Sequence, residues 1–149
     1  MSNSVLFPVA AHPDDLAKVV ELLVGCGLPY QDLTPQHLAS FQMIKQDTAL
    51  VGVVGVERFG DSGLLRSLAV APAYRGRDLG GNLVAVLESS ARQNGVSDLY
   101  LLTLTAQEFF AKRGYHAIAR KDVPPTIQAS AEFMSLCPAS AVCMRKQLA

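Results

Sequence analysis

The sequence predicts a mixed α/β fold built on one sheet, and three observations lead to it. Apolar runs of strand length alternate with segments whose apolar residues recur at helical spacing. Three strand-like runs follow one another between about 41 and 71, as antiparallel hairpins require. Beyond residue 79 helix and strand alternate, as crossovers require. The chain has 149 residues, half of them apolar, with no repeat and no Pro-, Gly- or Ser-rich linker. That length buries a real core, so residues 1–149 are expected to form a single domain.

Residues 4–10 read as a strand. Pro13 suits the first position of a helix, and Asp14 and Asp15 suit the positive end of its dipole. Leu16, Val19, Val20 and Leu23 keep helical spacing until Gly25 and Gly27 stop the run. Residues 28–40 carry two prolines and read as a loop with a short helix from near Thr34. Strands are expected at about 41–46, 48–58 and 63–71. The second, "TALVGVVGVE", is nearly all apolar, as in a strand covered on both faces. Leu79, Leu83, Val86 and Leu87 make one stripe of a helix over 79–93, closed by Asn94-Gly95. A buried strand over 98–104 follows, then a short helix over 105–114 with Thr105 as N-cap and Gly114 as C-terminal cap. A strand near 115–120, an irregular or helical piece near 124–134 and a last strand over 139–147 complete the order.

Thirteen basic and 13 acidic residues cancel, so nothing favours a nucleic-acid partner. The N-terminal segment lacks the basic start and long apolar core of a signal peptide, and no apolar run approaches ~20 residues. Neither membrane insertion nor export is expected. Cys26, Cys137 and Cys143 are odd in number and never at Cys-x-x-Cys spacing, which suits reduced thiols in a cytoplasm.

The most informative stretch is "SLAVAPAYRGRDLGGNLVAVLE", residues 67–88. A buried strand ends at Val70 and a helix begins near Leu79. Between and just after them stand Arg75, Gly76, Arg77, Gly80 and Gly81. A helix start presents unpaired N–H groups and a positive dipole end, and glycines let an anion approach the backbone. The physical reading is a pyrophosphate cradle. It is not a Walker loop, which needs Gly-Lys-Ser/Thr, nor a Gly-x-Gly-x-x-Gly fingerprint. A plain strand-to-helix turn with solvated arginines is the alternative.

This stretch resembles the acetyl-CoA-binding segment of the GNAT superfamily of N-acetyltransferases. That family's Arg/Gln-x-x-Gly-x-Gly/Ala pattern falls on Arg75-Gly76-Arg77-Asp78-Leu79-Gly80. The later "AQEFFAKRGYHAIAR" resembles its Ala-x-x-Phe-Tyr-x-Lys-x-Gly-Phe segment. "GLPYQDLTPQHL", "LLRSLAVAPAYRGR" and "SLCPASAVCMRK" together resemble the arsenic-resistance branch. The resemblance implies a GNAT fold, a mixed, mostly antiparallel central sheet of six to seven strands flanked by helices. It implies acetyl-CoA as co-substrate and no metal. Leu68, Ala69 and Val70 would pair with the pantetheine arm, because a bulge splays the strand and frees backbone groups. The amides of Gly76, Arg77, Asp78, Leu79, Gly80 and Gly81 would take the pyrophosphate, with Arg75 beside them. The strand end at Leu102 and Thr103 would form the other wall, and Phe110 would stand near the thioester.

Three departures from the pattern matter. Position 78 should be Gly and is Asp, a residue that tolerates left-handed backbone but sets a carboxylate near anionic phosphates. Phe110 stands where the family often has a Tyr that protonates the departing thiolate. A thiol pKa of about 8.5 makes that thiolate a tolerable leaving group without help. The strand Glu that many relatives use as base is replaced by Leu64 and Leu65.

Glu57 ends an apolar strand and is the tentative base, acting through water. It would need burial to raise its pKa, and pairing with Arg58 is the alternative. The backbone N–H of Leu68 is the tentative polariser of the thioester carbonyl. Arg66 lies in an otherwise apolar strand, where an Arg must be paired. It is expected to grip an anionic group of the acceptor, with an internal pair to Glu57 as the alternative. Tyr30, Ser67 and Cys137 are expected at the acceptor site. His12 reads as a helix-boundary residue and His37 as a residue on an exposed face. Six strand residues span roughly 20 Å, so Cys137 and Cys143 read as buried structural thiols rather than ion ligands.

The resulting expectation is transfer of acetyl from acetyl-CoA to the primary amine of a small, anionic, amino-acid-like molecule, possibly one containing arsenic or phosphorus. A peptide or protein amine acetyltransferase and a non-catalytic acyl-CoA sensor are the rivals, the latter favoured by Asp78, Phe110 and the missing Glu. A last strand at a sheet edge would favour a homodimer.

Overall fold

The computed structural model describes residues 6–148. Its strands are β1 (Val9–Ala10), β2 (Phe41–Gln46), β3 (Ala49–Phe59), β4 (Ser62–Val70), β5 (Asp98–Thr103), β6 (His116–Ala117) and β7 (Val142–Gln147). They join in one mostly antiparallel sheet in the order β1-β2-β3-β4-β5-β7-β6. The helices are α1 (Leu16–Gly25), α2 (Leu79–Gln93), α3 (Gln107–Ala111) and α4 (Pro125–Gln128). No helix among the described residues is long and apolar enough to cross a membrane. The chain divides into two compact units, the first running to Gly55 and including Ser67–Ser89, the second comprising Val56–Arg66 and the chain from Ser90 onward. Strands β3 and β4 pass through both, so neither unit is a continuous stretch of chain.

In the first unit β1 and β3 pair antiparallel with β2, Val9 opposite Met43 and Phe41 opposite Gly55. Phe41 is fully buried and its ring lies over Gly55, where a Cβ would overlap it. Around that pair Val19, Leu23, Leu38, Val53 and Ala69 close a core, with Tyr30 and Cys26 packed at its margin. The expected helix at Pro13 begins as a single tight turn, Pro13–Asp15, before α1. His12 caps it: its Nδ1 accepts from Asp14 N at 3.1 Å, and Asp15 Oδ2 accepts from His12 N at 3.1 Å. The N-terminal strand shrinks to two residues, and positions 4 and 5 of the expected strand lie outside the described residues.

Asp15 is buried and also takes a bond from Lys45 Nζ at 2.9 Å. That ammonium holds the Asp15 carboxyl below its ordinary 3.8, against the opposing effect of burial. The charged form is favoured in the folded chain. Its stabilisation is therefore complete above pH 3.8 and is lost as pH falls through the lower folded value. Asp15→Asn is expected to lower stability by about 1 kcal/mol at pH 7, with the difference shrinking as the pH falls below 3.8, read by urea unfolding across that range.

In the second unit β4 runs parallel to β5, Ser62–Leu64 against Asp98–Tyr100, and β7 runs antiparallel to β5. Leu64, Tyr100, Val123, Ile127 and Cys143 form its core. Two expectations are corrected here. Strand β7 begins at Val142 and lies between β5 and β6, not at an edge, because His116–Ala117 pairs with Met144–Arg145 and covers it. The argument for a homodimer from an open last strand falls with it. The short helix has Ala106 rather than Thr105 at its N-cap, with no side-chain cap bond, and spans only Gln107–Ala111; Thr103 Oγ1 accepts from Ala106 N at 2.9 Å just ahead of it. Gly114 follows it at φ 94, the left-handed value expected of its terminating residue.

Candidate functional site

The loop of the first unit is built as a strand end, a tight turn and a helix start. Strand β4 contains a left-handed residue, Ser67 at φ 62, just before Leu68, Ala69 and Val70. A non-glycine residue in that conformation is uncommon and marks a break in regular strand geometry. Ala71 N then bonds Val51 O at 2.8 Å, and Pro72–Tyr74 makes one tight turn. Gly76 at φ 84 and Asp78 at φ 59 both take left-handed backbone before α2 begins at Leu79. Asn82 N reaches back to Asp78 O at 3.1 Å, an early bond of the helix. Asp78 therefore adopts the backbone that glycine would supply, as its side chain permits.

Gly76, Arg77 and Asp78 are exposed, Gly80 and Gly81 half-buried, and Leu79 buried beneath them. The first-turn amides of α2 are thus presented beside open backbone, the arrangement that receives an anion. The two arginines differ. Arg77 stacks its guanidinium over the Tyr74 ring at 4.9 Å. Arg75 is bound to its own fold, Nε donating to Val70 O at 3.0 Å.

The second unit holds a buried ionic cluster around Arg66, midway along β4. The Arg66 side chain is fully buried. Its Nη1 meets Glu57 Oε1 at 2.6 Å and its Nη2 lies 3.9 Å from Glu132 Oε2. Strands β3 and β4 bring Glu57 and Arg66 together, while a widened helical turn over Glu132–Leu136 supplies Glu132. The expectation that Arg66 grips an acceptor anion is revised on this geometry. A buried guanidinium must be neutralised locally, and Glu57 and Glu132 already do so. Glu57 pairs with Arg66 rather than Arg58, whose Nε donates to Gly60 O.

Glu132 is the residue the sequence reading missed. Its one signal is an acidic side chain in the otherwise uncharged run "IQASAEFMSLCPASAV". Cys137 Sγ donates to Glu132 Oε2 at 3.7 Å. Burial, with the nearby Glu132 charge, pushes the Cys137 thiol up to about 12, and burial pushes Cys143 up to about 11. Both read as structural thiols. Alkylation at pH 7.5, followed by mass spectrometry, is expected to label Cys137 and Cys143 at least tenfold more slowly in the folded than the unfolded chain (on the order of the lost thiolate fraction).

Phe110 is buried, edge-on to Phe109 at 5.0 Å and to Tyr115 at 5.3 Å between ring centroids. It offers packing and no proton. Thr103 ends β5 with its hydroxyl engaged at Ala106 N. Tyr30 is half-buried against the core of the first unit. His37 is half-buried rather than exposed, its Nδ1 accepting from Thr34 N at 3.0 Å.

A sequence model of the "Acetyltransferase (GNAT) domain" matches residues 38–117, more than half the chain and all of the loop. The chain belongs to the GNAT acetyltransferase family. Among curated proteins, this GNAT chain is 30% identical over 92 residues to an amino-acid acetyltransferase of Neisseria meningitidis, covering 60% of the chain and 21% of that protein. It is 28% identical over 119 residues to an amino-acid acetyltransferase of Ralstonia nicotianae, covering 74% of the chain and 26% of that protein. It thus spans about a fifth to a quarter of the length of these relatives. Among solved structures, N-acetylglutamate synthase from Neisseria gonorrhoeae, complexed with coenzyme A and N-acetyl-glutamate, superposes with a TM-score of 0.83 at 22% identity. The match covers 99% of this chain and 36% of that one. A Mycobacterium tuberculosis protein in complex with CoA gives 0.79 at 21% identity, covering 95% and 99%. These likenesses establish the GNAT fold.

Proposed function

We propose that this GNAT chain transfers the acetyl group of acetyl-CoA to the amine of a small amino acid. The observation that carries the reading is the loop, in which Gly76 and Asp78 take left-handed backbone and deliver the open start of α2 beside the β4 strand end. The amides of residues 76–81 would hold the pyrophosphate, and Leu68, Ala69 and Val70 would hold the pantetheine arm. The amine attacks the thioester carbonyl, whose developing oxyanion the Leu68 N–H would stabilise. Acetyl leaves sulfur for nitrogen, the amine loses a proton, and the coenzyme departs as thiolate.

With Phe110 unable to donate, that thiolate leaves unassisted, which its pKa of about 8.5 permits. Glu57 remains the carboxylate proposed to receive the amine proton through water. Because only the neutral amine attacks, the rate is expected to rise towards alkaline pH.

An amino acid is the acceptor class supported by the relatives' names. The Neisseria synthase is complexed with N-acetyl-glutamate in one structure and L-arginine in another, so glutamate, the free amine from which N-acetyl-glutamate forms, and L-arginine belong in the first acceptor panel. The relatives reported give no support to an arsenic-containing acceptor, and a phosphorus-containing analogue is a second-tier test. Three free cysteines suit the cytoplasmic setting included in this reading.

Acetyl-CoA titration by calorimetry tests the reading, wild type against Asp78→Gly. Removing the carboxylate and the left-handed strain is expected to tighten binding about fivefold, equivalent to about 1 kcal/mol. Binding by neither protein would overturn the proposal. Binding with no turnover across the amino-acid panel would move the reading to an acyl-CoA sensor, the rival that Phe110 favours.

A further inference from the structure

Arg75 opens the family signature, and its charge alone would make it a phosphate ligand. The residue is exposed, but two of its guanidinium nitrogens are bonded within the fold. Nε donates to the Val70 carbonyl at 3.0 Å, and Nη2 donates to Cys26 Sγ at 3.6 Å. Cys26 Sγ donates to the same Val70 carbonyl at 3.9 Å. Val70 is the last residue of β4, and Cys26 immediately follows α1. Two side chains and one carbonyl therefore close a triangle between a strand end and a helix end.

We propose that Arg75 and Cys26 form a brace that fixes where the coenzyme loop leaves the sheet, so that Arg75 is a positioning residue and not a phosphate ligand. The inference rests on the coenzyme reading of the loop. Three physical features support it. The guanidinium fork supplies two donors in diverging directions, which a Lys ammonium on a flexible stem does not reproduce. The C-terminal end of α1 carries the negative end of a dipole, which suits a guanidinium beside Cys26. The backbone on either side of Val70 is also tied: Ala71 N to Val51 O at 2.8 Å and Tyr74 N to Ala71 O at 2.8 Å. The brace thus holds the one carbonyl at which a strand becomes a turn. Arg77, also exposed and stacked on Tyr74, has no bond to the Val70 carbonyl and is left as the loop's cation.

The test compares Arg75→Lys, Arg75→Gln and Cys26→Val by acetyl-CoA titration at several salt concentrations, and by amide hydrogen exchange without coenzyme. A brace predicts that Arg75→Lys weakens binding about fivefold although the charge is kept, the scale of a charge-assisted hydrogen bond. It predicts that Arg75→Gln leaves the salt dependence of binding unchanged, and that adding Cys26→Val to either variant causes little further loss. Exchange at Ala71 and Tyr74 should quicken in all three variants. Wild-type affinity in Arg75→Lys, or a flattened salt dependence in Arg75→Gln, would overturn the brace in favour of direct phosphate contact. Unchanged exchange at Ala71 and Tyr74 would overturn it as well. If the wild type binds no acetyl-CoA, the coenzyme reading fails, while the exchange measurement still decides whether the brace exists.

Discussion

Arg66→Met is expected to destabilise the protein by about 3–5 kcal/mol, the cost of breaking a buried ion pair from one side. Arg66 meets Glu57 at 2.6 Å and Glu132 at 3.9 Å from a side chain with no exposed surface. Removing the guanidinium leaves two carboxylates, one nearly buried, without the cation that offsets their desolvation. A further result follows from that cause. The loss should shrink in the triple variant with Glu57→Gln and Glu132→Gln, because neutral groups of similar shape need no cation. Urea unfolding at pH 7 reads both. An unchanged unfolding midpoint in Arg66→Met, with acceptor KM raised instead, would restore Arg66 to the acceptor-binding role that its sequence position suggested.

Gly55→Ala is expected to lower stability by about 3 kcal/mol, at the upper end for overpacking a core. Gly55 faces Phe41 across the β2–β3 pair, and the Phe41 ring occupies the space of the missing side chain. That ring is fully buried among Val19, Leu23, Leu38 and Val53, so it has no open direction in which to yield. Gly55→Ala combined with Phe41→Leu should recover part of the loss, since the smaller side chain gives back the volume the methyl takes. Thermal unfolding of the two singles and the double measures the coupling. Additive effects would show that the ring and the glycine do not share that space.

The elements legible in the sequence were those with strong local causes. Helix α2 keeps its expected bounds, Leu79–Gln93, because one apolar stripe and a terminating Asn94-Gly95 act within a few residues. Strands β2 to β4 follow apolar runs bounded by turn residues, and lie within one or two residues of their expected ends. The ends of the chain were read less well. Residues 115–120 and 139–147 look equally strand-like, yet pairing keeps only His116–Ala117 of the first and Val142–Gln147 of the second. Strand length there depends on which partner lies alongside, and that is not a local property.

By itself the sequence determined the order of elements, the charge balance and the loop whose residues carry the family pattern, including an Asp able to stand at φ 59 in place of glycine. Each of these depends on neighbours close in the chain. Tertiary structure alone decided the partners of the charged groups: Glu132 reaching Arg66, Arg75 turning to Val70 and Cys26, and β7 being covered by β6. A cation in the sequence shows only that a counter-charge or a carbonyl must lie near it. Folding brings residues far apart in the chain within reach, and the cost of leaving a buried charge unmatched then selects the partner.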